Sequence, residues 1–295
     1  MFFTGLYSTN ARGNCIVNKA AIVMSPLSAK LKVAKVDDCK KVIVTVVVQY
    51  KRGLNFRDAL AAKQQIPGET ISEISETLAL LKEIAVSHNA DDFAGVVTGD
   101  FRQAKNAKLL MDLWNSSLGL NLRMIDSLEE AQLGYLGAKQ HTIHPDNYVT
   151  WSINSNRMHF STEIKDEFTT YQTYLGSQNF YDSVLKQASE SQSWDRAVQS
   201  HMTKIISDVP KQMSGDLKAK ISTSMVFGIG GFHRYSMASY AGAKSWTTRD
   251  LEKLLNNAIG PEASAIALVL GHMKSLGIHR VHSLKSGIAD GVLLR

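Results

Sequence analysis

The sequence predicts an α/β protein of two domains. Its 295 residues are enough for two domains of ordinary size. Its composition, 44% hydrophobic and 20% charged, fits a chain with a real core. Residues 93–138 supply the class. An apolar run, Phe93 to Val97, precedes a helix-period segment with Leu109, Leu110, Leu113, Trp114 and Leu118 on one face. A second apolar run, Leu122 to Ile125, precedes another helical stretch from Ser127. The order strand, helix, strand, helix is that of a βαβ unit feeding a parallel sheet.

The other elements follow in chain order. Residues 1–18 read as an N-terminal extension with one short strand near Phe2 to Tyr7. Ala20 to Met24 reads as a strand and Ser25-Pro26-Leu27-Ser28 as a turn. Two more strands follow, Leu31 to Val36 and Val42 to Tyr50, with Asp37-Asp38 as the hairpin signal. Residues 51–69 are polar connection. From Thr70 a helix is expected, capped by Thr70 or Ser72, with Ile71, Ile74, Leu78, Leu81 and Ile84 as its buried face. The next helix should run from about Gln103 to Ser117. Tyr148 to Phe160 reads as a hairpin turning at Asn154-Ser155-Asn156. Residues 163–224 read as helical, broken at Pro210 and Gly215. Val226 to Phe232 is a strand entering a glycine turn. Thr247 or Thr248 caps a helix over Arg249 to Ala258, Pro261 opens another to about Leu276, and a strand and helix close the chain.

Arg102-x-Ala104-x-Asn106, then a helix, a strand and Glu129-Glu130-Ala131 ahead of Gly137, resembles the exopolyphosphatase / guanosine pentaphosphate phosphohydrolase (Ppx/GppA) family. The resemblance is strongest over 93–138 and weaker over the rest of 19–295. It implies two ribonuclease H-like domains of the actin, Hsp70 and sugar-kinase type with a cleft between them. Their expected extents are 19–120 and 121–295, with the last helix packing back on the first domain. It also implies a homodimer.

The same resemblance locates a site. It places the general base for terminal phosphoanhydride hydrolysis on Glu130, where the residues alone read equally as a helix N-terminal carboxylate favoured by the dipole. The family's first phosphate loop, an aspartate and then glycine-serine-asparagine-serine, falls on Val23 and Ser25-Pro26-Leu27-Ser28, so only Ser28 is kept. Proline also removes an N–H donor. The second loop, an aspartate, three glycines, serine, threonine and glutamate, falls on Ser152, Asn154-Ser155-Asn156, Arg157 and His159. Asparagine tolerates the left-handed turns glycine would make, so the hairpin can keep its shape. Arg157 reads either as a phosphate ligand or as a solvated arginine. The third loop keeps Gly228, Gly230 and Gly231 with Phe232 for threonine, and close packing explains those glycines as well as ligand approach does. Arg102 and Asn106, four apart on one face, should look toward the domain boundary. The closing motif keeps Gly287 and Gly291, while Ala289 and Asp290 replace arginine and glutamate.

These departures predict a divergent member, catalytically weak or inactive, acting as a binding or regulatory protein. The alternative is an active hydrolase of polyphosphate or a phosphorylated guanosine nucleotide, with Mg²⁺ as cofactor only in that case. The eroded loops and the facing carboxylate also predict weak anion binding. The net charge of +6 permits an acidic partner, but no dense Lys/Arg run marks nucleic acid as one. No apolar run reaches the roughly 20 residues of a membrane span. Cys15 and Cys39 read as reduced thiols of a cytoplasmic protein. His141 with His144, and His279 with His282, lack a further ligand cluster and read as loop and strand-edge residues rather than a metal site.

Overall fold

A computed structural model describes residues 15–54, 56, 60, 64–142, 146–191 and 193–295. The expected strand near Phe2 to Tyr7 and His144 lie outside them. Two mixed sheets are built on the same plan. The first contains β1 (Ile16–Ser25), β2 (Ser28–Asp37), β3 (Val42–Gly53), β4 (Asp92–Val97) and β5 (Leu122–Met124), in the order β3-β2-β1-β4-β5. The second contains β6 (Tyr148–Ile153), β7 (Met158–Ile164), β8 (Glu167–Thr173), β9 (Met225–Ile229), β10 (Ser245–Thr247) and β11 (Arg280–Ser283), in the order β10-β11-β9-β6-β7-β8. β1 and β6 hold equivalent places. Each pairs antiparallel with the strand that follows it and parallel with the first strand after a crossover. Both sheets are therefore ribonuclease H-like, the arrangement of the actin, Hsp70 and sugar-kinase folds.

The helices are α1 (Gly68–Ser87), α2 (Ala107–Leu118), α3 (Ser127–Lys139), α4 (Ser177–Ser191), α5 (Trp194–Gln212), α6 (Gly215–Thr223), α7 (Thr248–Leu255), α8 (Gly260–Leu276) and α9 (Ile288–Leu293). The first sheet packs α1 and α2 through Ile22, Leu31, Leu78, Leu81, Leu110 and Trp114. The second packs α4, α5 and α8 through Trp151, Phe160, Phe180, Ile205 and Leu268. α3 and α9 lie between the units. Leu133, Val292 and Leu293 pack with Ala21, Val23 and Ala34 of the first sheet. Tyr135 of α3 stacks on Tyr148 of β6, with ring centroids 4.6 Å apart. Thus the last helix does return to the first sheet.

Several expectations need correction. β1 already begins at Ile16, inside the segment read as extension. α1 starts at Gly68 after Pro67 and has no side-chain cap, so neither Thr70 nor Ser72 serves as one. The helix expected from Gln103 is a 3₁₀ turn (Gly99–Gln103) followed by α2. Gly99 takes φ +68°, and Asn106 is held by the Ile66 backbone, which separates the two pieces. Leu109 and Leu113 are exposed, and the face of α2 that packs is Ala107, Leu110, Met111 and Trp114. β5 joins the first sheet, so that sheet ends after residue 120. β8 is a strand inside the segment read as helical, and its Thr and aromatic residues fit a sheet. Pro210 lies within α5, in its last turn, and the break falls at Met213-Ser214. Cys15 and Cys39 form a disulfide. The β1–β2 register, Ile16 opposite Asp37, brings them together, and a count of two cysteines could not show that.

The core of the second unit holds three buried histidines, His159, His233 and His272. Burial is the first cause pushing them down, to about 4, about 3 and about 4. A histidine depressed in the folded state leaves stability intact above the unfolded value near 6.5 and removes it as pH falls toward the folded value. Each should cost about 1.4 kcal/mol per pH unit in that window. We predict that the urea midpoint falls steeply between about pH 6.5 and about pH 4.5 and that His233→Phe makes this slope shallower.

Candidate functional site

A cleft of about 450 Å³ lies between the units. The turns of the two equivalent hairpins face into it, Ser25-Pro26-Leu27-Ser28 from β1–β2 and Asn154-Ser155-Asn156-Arg157 from β6–β7. Gly230 and Gly231 after β9, Glu130 of α3 and the Gly287–Asp290 segment complete the walls.

The first turn is a tight corner, with Ser25 paired to Ser28 across two residues. Pro26 has no N–H, and the Pro26 and Leu27 carbonyls accept from Phe56 and Leu54, outside the cleft. Ser28 is buried and lines the cavity. Val23, where the family has an acid, packs into the apolar layer with α9.

In the second turn, Oδ1 of Asn154 accepts from the amides of Asn156 at 3.0 Å and Arg157 at 2.7 Å. This asparagine turn keeps the hairpin shape that glycines would give, but it consumes two amides. The Ser155 carbonyl accepts from Gln178 and Asn179. Gly176 lies so close that a Cβ there would come within 2.4 Å of the Asn156 and Arg157 nitrogens. The turn is therefore rigid, and side chains, rather than backbone N–H groups, are what it offers a ligand. Arg157 donates from Nη1 to Ser127 Oγ, and its guanidinium lies 4.6 Å from the Tyr174 ring centre.

The third turn divides in two. A Cβ on Gly228 would lie 2.6 Å from Cγ of buried His233, so this glycine serves packing. Gly230 has φ +82° with open space around it, at the cleft wall.

Of the paired glutamates, Glu130 lines the cleft and is nearly buried. Glu129 points the other way, into ion pairs with Arg123 and Arg295, and the Arg123 hydrogen bond first and Arg295 next hold its carboxyl below the usual range. Asp126 caps this helix by accepting from the Glu129 amide at 2.7 Å. Arg102 and Asn106 do not line the cavity. Arg102 stitches the β5–α3 turn, donating to the Ile125 carbonyl at 2.6 Å and to Ser127 Oγ at 3.3 Å. Asn106 makes two 3.0 Å bonds with the Ile66 backbone. Both roles are those of framework residues.

Of the cleft's cations, only Arg157 was expected from the sequence. Lys30, Lys32, Lys51, Arg157, Arg234 and Lys285 line the cleft against two acids, Glu130 and Asp290. Lys32 and Asp290 form a buried ion pair at 2.6 Å, which ties α9 to β2. Apart from that pair, the described charges on the walls are net positive. Lys30 is held below the ordinary lysine value by burial first and by Lys51 next, while Glu130 acts in the opposite sense. The alternation of Lys30 and Lys32 with Leu31 and Val33 along one strand was the available signal, since i and i+2 share a face.

Mg²⁺ keeps several waters and is usually held by one or two carboxylates together with substrate phosphates. The cleft supplies Glu130 and an Asp290 already engaged by Lys32, with Val23 and Ser152 at the positions of the family's acids. Among the described residues, the one cluster with metal-ligating spacing is Cys15, Asp37 and Cys39. Its sulfurs are joined to each other, and none of the three lines the cleft. The cleft therefore has fewer acids than the family's loops would supply.

Two ribonuclease H-like units around a cationic cleft define the class of the protein. Residues 32–267 match the Ppx/GppA phosphatase family, and the chain belongs to that family. No curated protein matches its sequence. Its structure is similar to that of the Aquifex aeolicus PPX-GPPA enzyme, with a TM-score of 0.77 at 15% identity over 95% of this chain and 99% of that one. It is also similar to an exopolyphosphatase from Cytophaga hutchinsonii, with a TM-score of 0.68 at 15% identity over 94% and 96%. Identity this low shows the shared fold.

Breaking the Lys32–Asp290 pair should be costly, because it strands a buried ammonium. We predict that Asp290→Asn lowers stability by about 3 kcal/mol in urea unfolding and that adding Lys32→Met restores much of the loss.

Proposed function

We propose that this chain is a catalytically weak or inactive binding member of its family, holding condensed phosphate on protein cations. The observation that carries the reading is the ring of Lys30, Lys51, Arg157, Arg234 and Lys285 around a cleft with Val23 and Ser152 where the family's loops have acids. Ammonium and guanidinium groups recognise phosphate oxygens by charge-assisted hydrogen bonds and, unlike amides, need no glycine-lined approach. Inorganic polyphosphate or a phosphorylated guanosine nucleotide is the ligand class, by family. Lysine-held phosphate lacks the divalent ion that neutralises charge in line with the leaving oxygen, so ground-state binding is favoured over turnover.

A second reading is supported by Glu130, an acid on the cleft wall: hydrolysis of a terminal phosphoanhydride with Glu130 as general base.

No helix among the described residues is long and apolar enough to cross a membrane. A disulfide persists in oxidising compartments and is reduced in the cytoplasm, so the Cys15–Cys39 bond argues against the cytoplasmic expectation.

Titration calorimetry with tripolyphosphate tests the binding reading. Affinity should be equal with EDTA and with Mg²⁺, and Lys30→Ala or Arg157→Ala should weaken it by about tenfold. Affinity that vanishes in EDTA would overturn the reading. In the same preparations, phosphate release with Mg²⁺ should stay far below about 1 per second. Turnover at that rate, abolished by Glu130→Gln, would establish the second reading instead.

A further inference from the structure

Ser152 and His159 face each other across the β6–β7 pair. Ser152 lines the cleft, and its Oγ lies 3.4 Å from Nδ1 of His159. His159 lies behind it and is only 2% exposed. Its Nε2 is buried and has no hydrogen-bond partner among the described residues. A single hydroxyl therefore stands between a ligand in the cleft and a buried imidazole.

The charges that act most on this imidazole are two arginines. Arg157, two residues before it, and Arg102, from the 3₁₀ turn, both donate to Ser127 Oγ. β8 presents neutral Gln172 opposite His159. α3 contributes Glu130, which lines the same cleft. Behind β7, Phe160 separates this place from His272, which is itself buried.

We propose that anion binding in the cleft is coupled to proton uptake at Nδ1 of His159, relayed by Ser152. This rests on the anion-binding reading of the cleft. In the free protein the Ser152 hydroxyl donates to Nδ1, and Nε2 carries the ring hydrogen. An arriving phosphate oxygen competes for that hydroxyl hydrogen and neutralises Arg157. Ser152 turns to donate to the anion, and Nδ1 takes a proton from solvent and donates it back to Ser152 Oγ. Nε2 keeps its hydrogen throughout. No bond other than these N–H and O–H contacts changes.

The direction of His159 is consistent. Burial first, then Arg157 and Arg102, hold it at about 4, so it is neutral near neutral pH. An anion removes the second cause and part of the third. Binding should therefore tighten as pH falls.

The test is calorimetry with trimetaphosphate, whose acid groups stay ionised over the range used, so that ligand titration does not enter. Between about pH 8 and about pH 5.5 the wild-type affinity should rise about tenfold, with proton uptake seen as a dependence of the measured heat on buffer ionisation enthalpy. His159→Asn and Ser152→Ala should each bind with little pH dependence. His141→Asn should keep the dependence, because that histidine sits by Asp290 and Lys32 instead. Wild-type binding without proton uptake, or a pH slope that survives in both Ser152→Ala and His159→Asn, overturns the coupling and leaves the cleft reading standing. No wild-type binding at either pH overturns both.

Discussion

The cleft depends on how the closing helix is seated. α9 is six residues long, yet it joins the two halves of the molecule. It can do so because Gly291 and Gly137 let it lie against α3. A Cβ on Gly291 would come within 2.1 Å of the Leu133 carbonyl, and one on Gly137 within 2.7 Å of the Gly287 carbonyl. Contacts this close leave no room for a methyl group and fix the helix pair in one position. Lys32 and Asp290 then lock α9 to β2, and Asp290 also accepts from the Gly287 amide at 3.0 Å. A buried ion pair adds little net stability, but breaking it is expensive, which makes it a registry device here. Because α3 carries Glu130 and α9 carries Asp290, the packing that unites the sheets also sets the acids of the cleft.

Electrostatics give the cleft its chemical character. A phosphate site needs its negative charge offset, and a metal, backbone dipoles or side-chain cations can each do so. Here the second hairpin spends its amides on Asn154, the first loses one to Pro26, and the acids that would gather a metal are a valine and a serine. Lysine and arginine are what remain, and the cleft has them on both sides: Lys30 and Lys51 from the first unit, Arg157, Arg234 and Lys285 from the second. A ligand bridging these groups would hold the units together.

Much of the fold was legible in the sequence. The β4–α2–β5–α3 unit, the two hairpins and the glycine turn after β9 follow from apolar periodicity and turn chemistry. What was hidden depended on long-range placement. The exposed side of α2 could not be told from its buried side, because Leu109 and Leu113 are as apolar as Leu110 and Met111, and the neighbouring strands decide which face packs. The disulfide required knowing the β1–β2 register. In the site, the motif match correctly singled out the hairpin turns as cleft walls, and it also pointed to Arg102 and Asn106, whose bonds are to the framework. Lys51, Arg234 and Lys285 carry no motif, since scattered basic residues converge only once two sheets face each other.

If protein cations hold the phosphate between the two hairpin turns, a crystal structure of the protein with tripolyphosphate, grown with Mg²⁺ present, should show phosphate oxygens on Lys30, Lys51 and Arg157 and no ion between ligand and protein. A metal bridging the ligand to Glu130, or a phosphate bound outside the cleft, would contradict this reading.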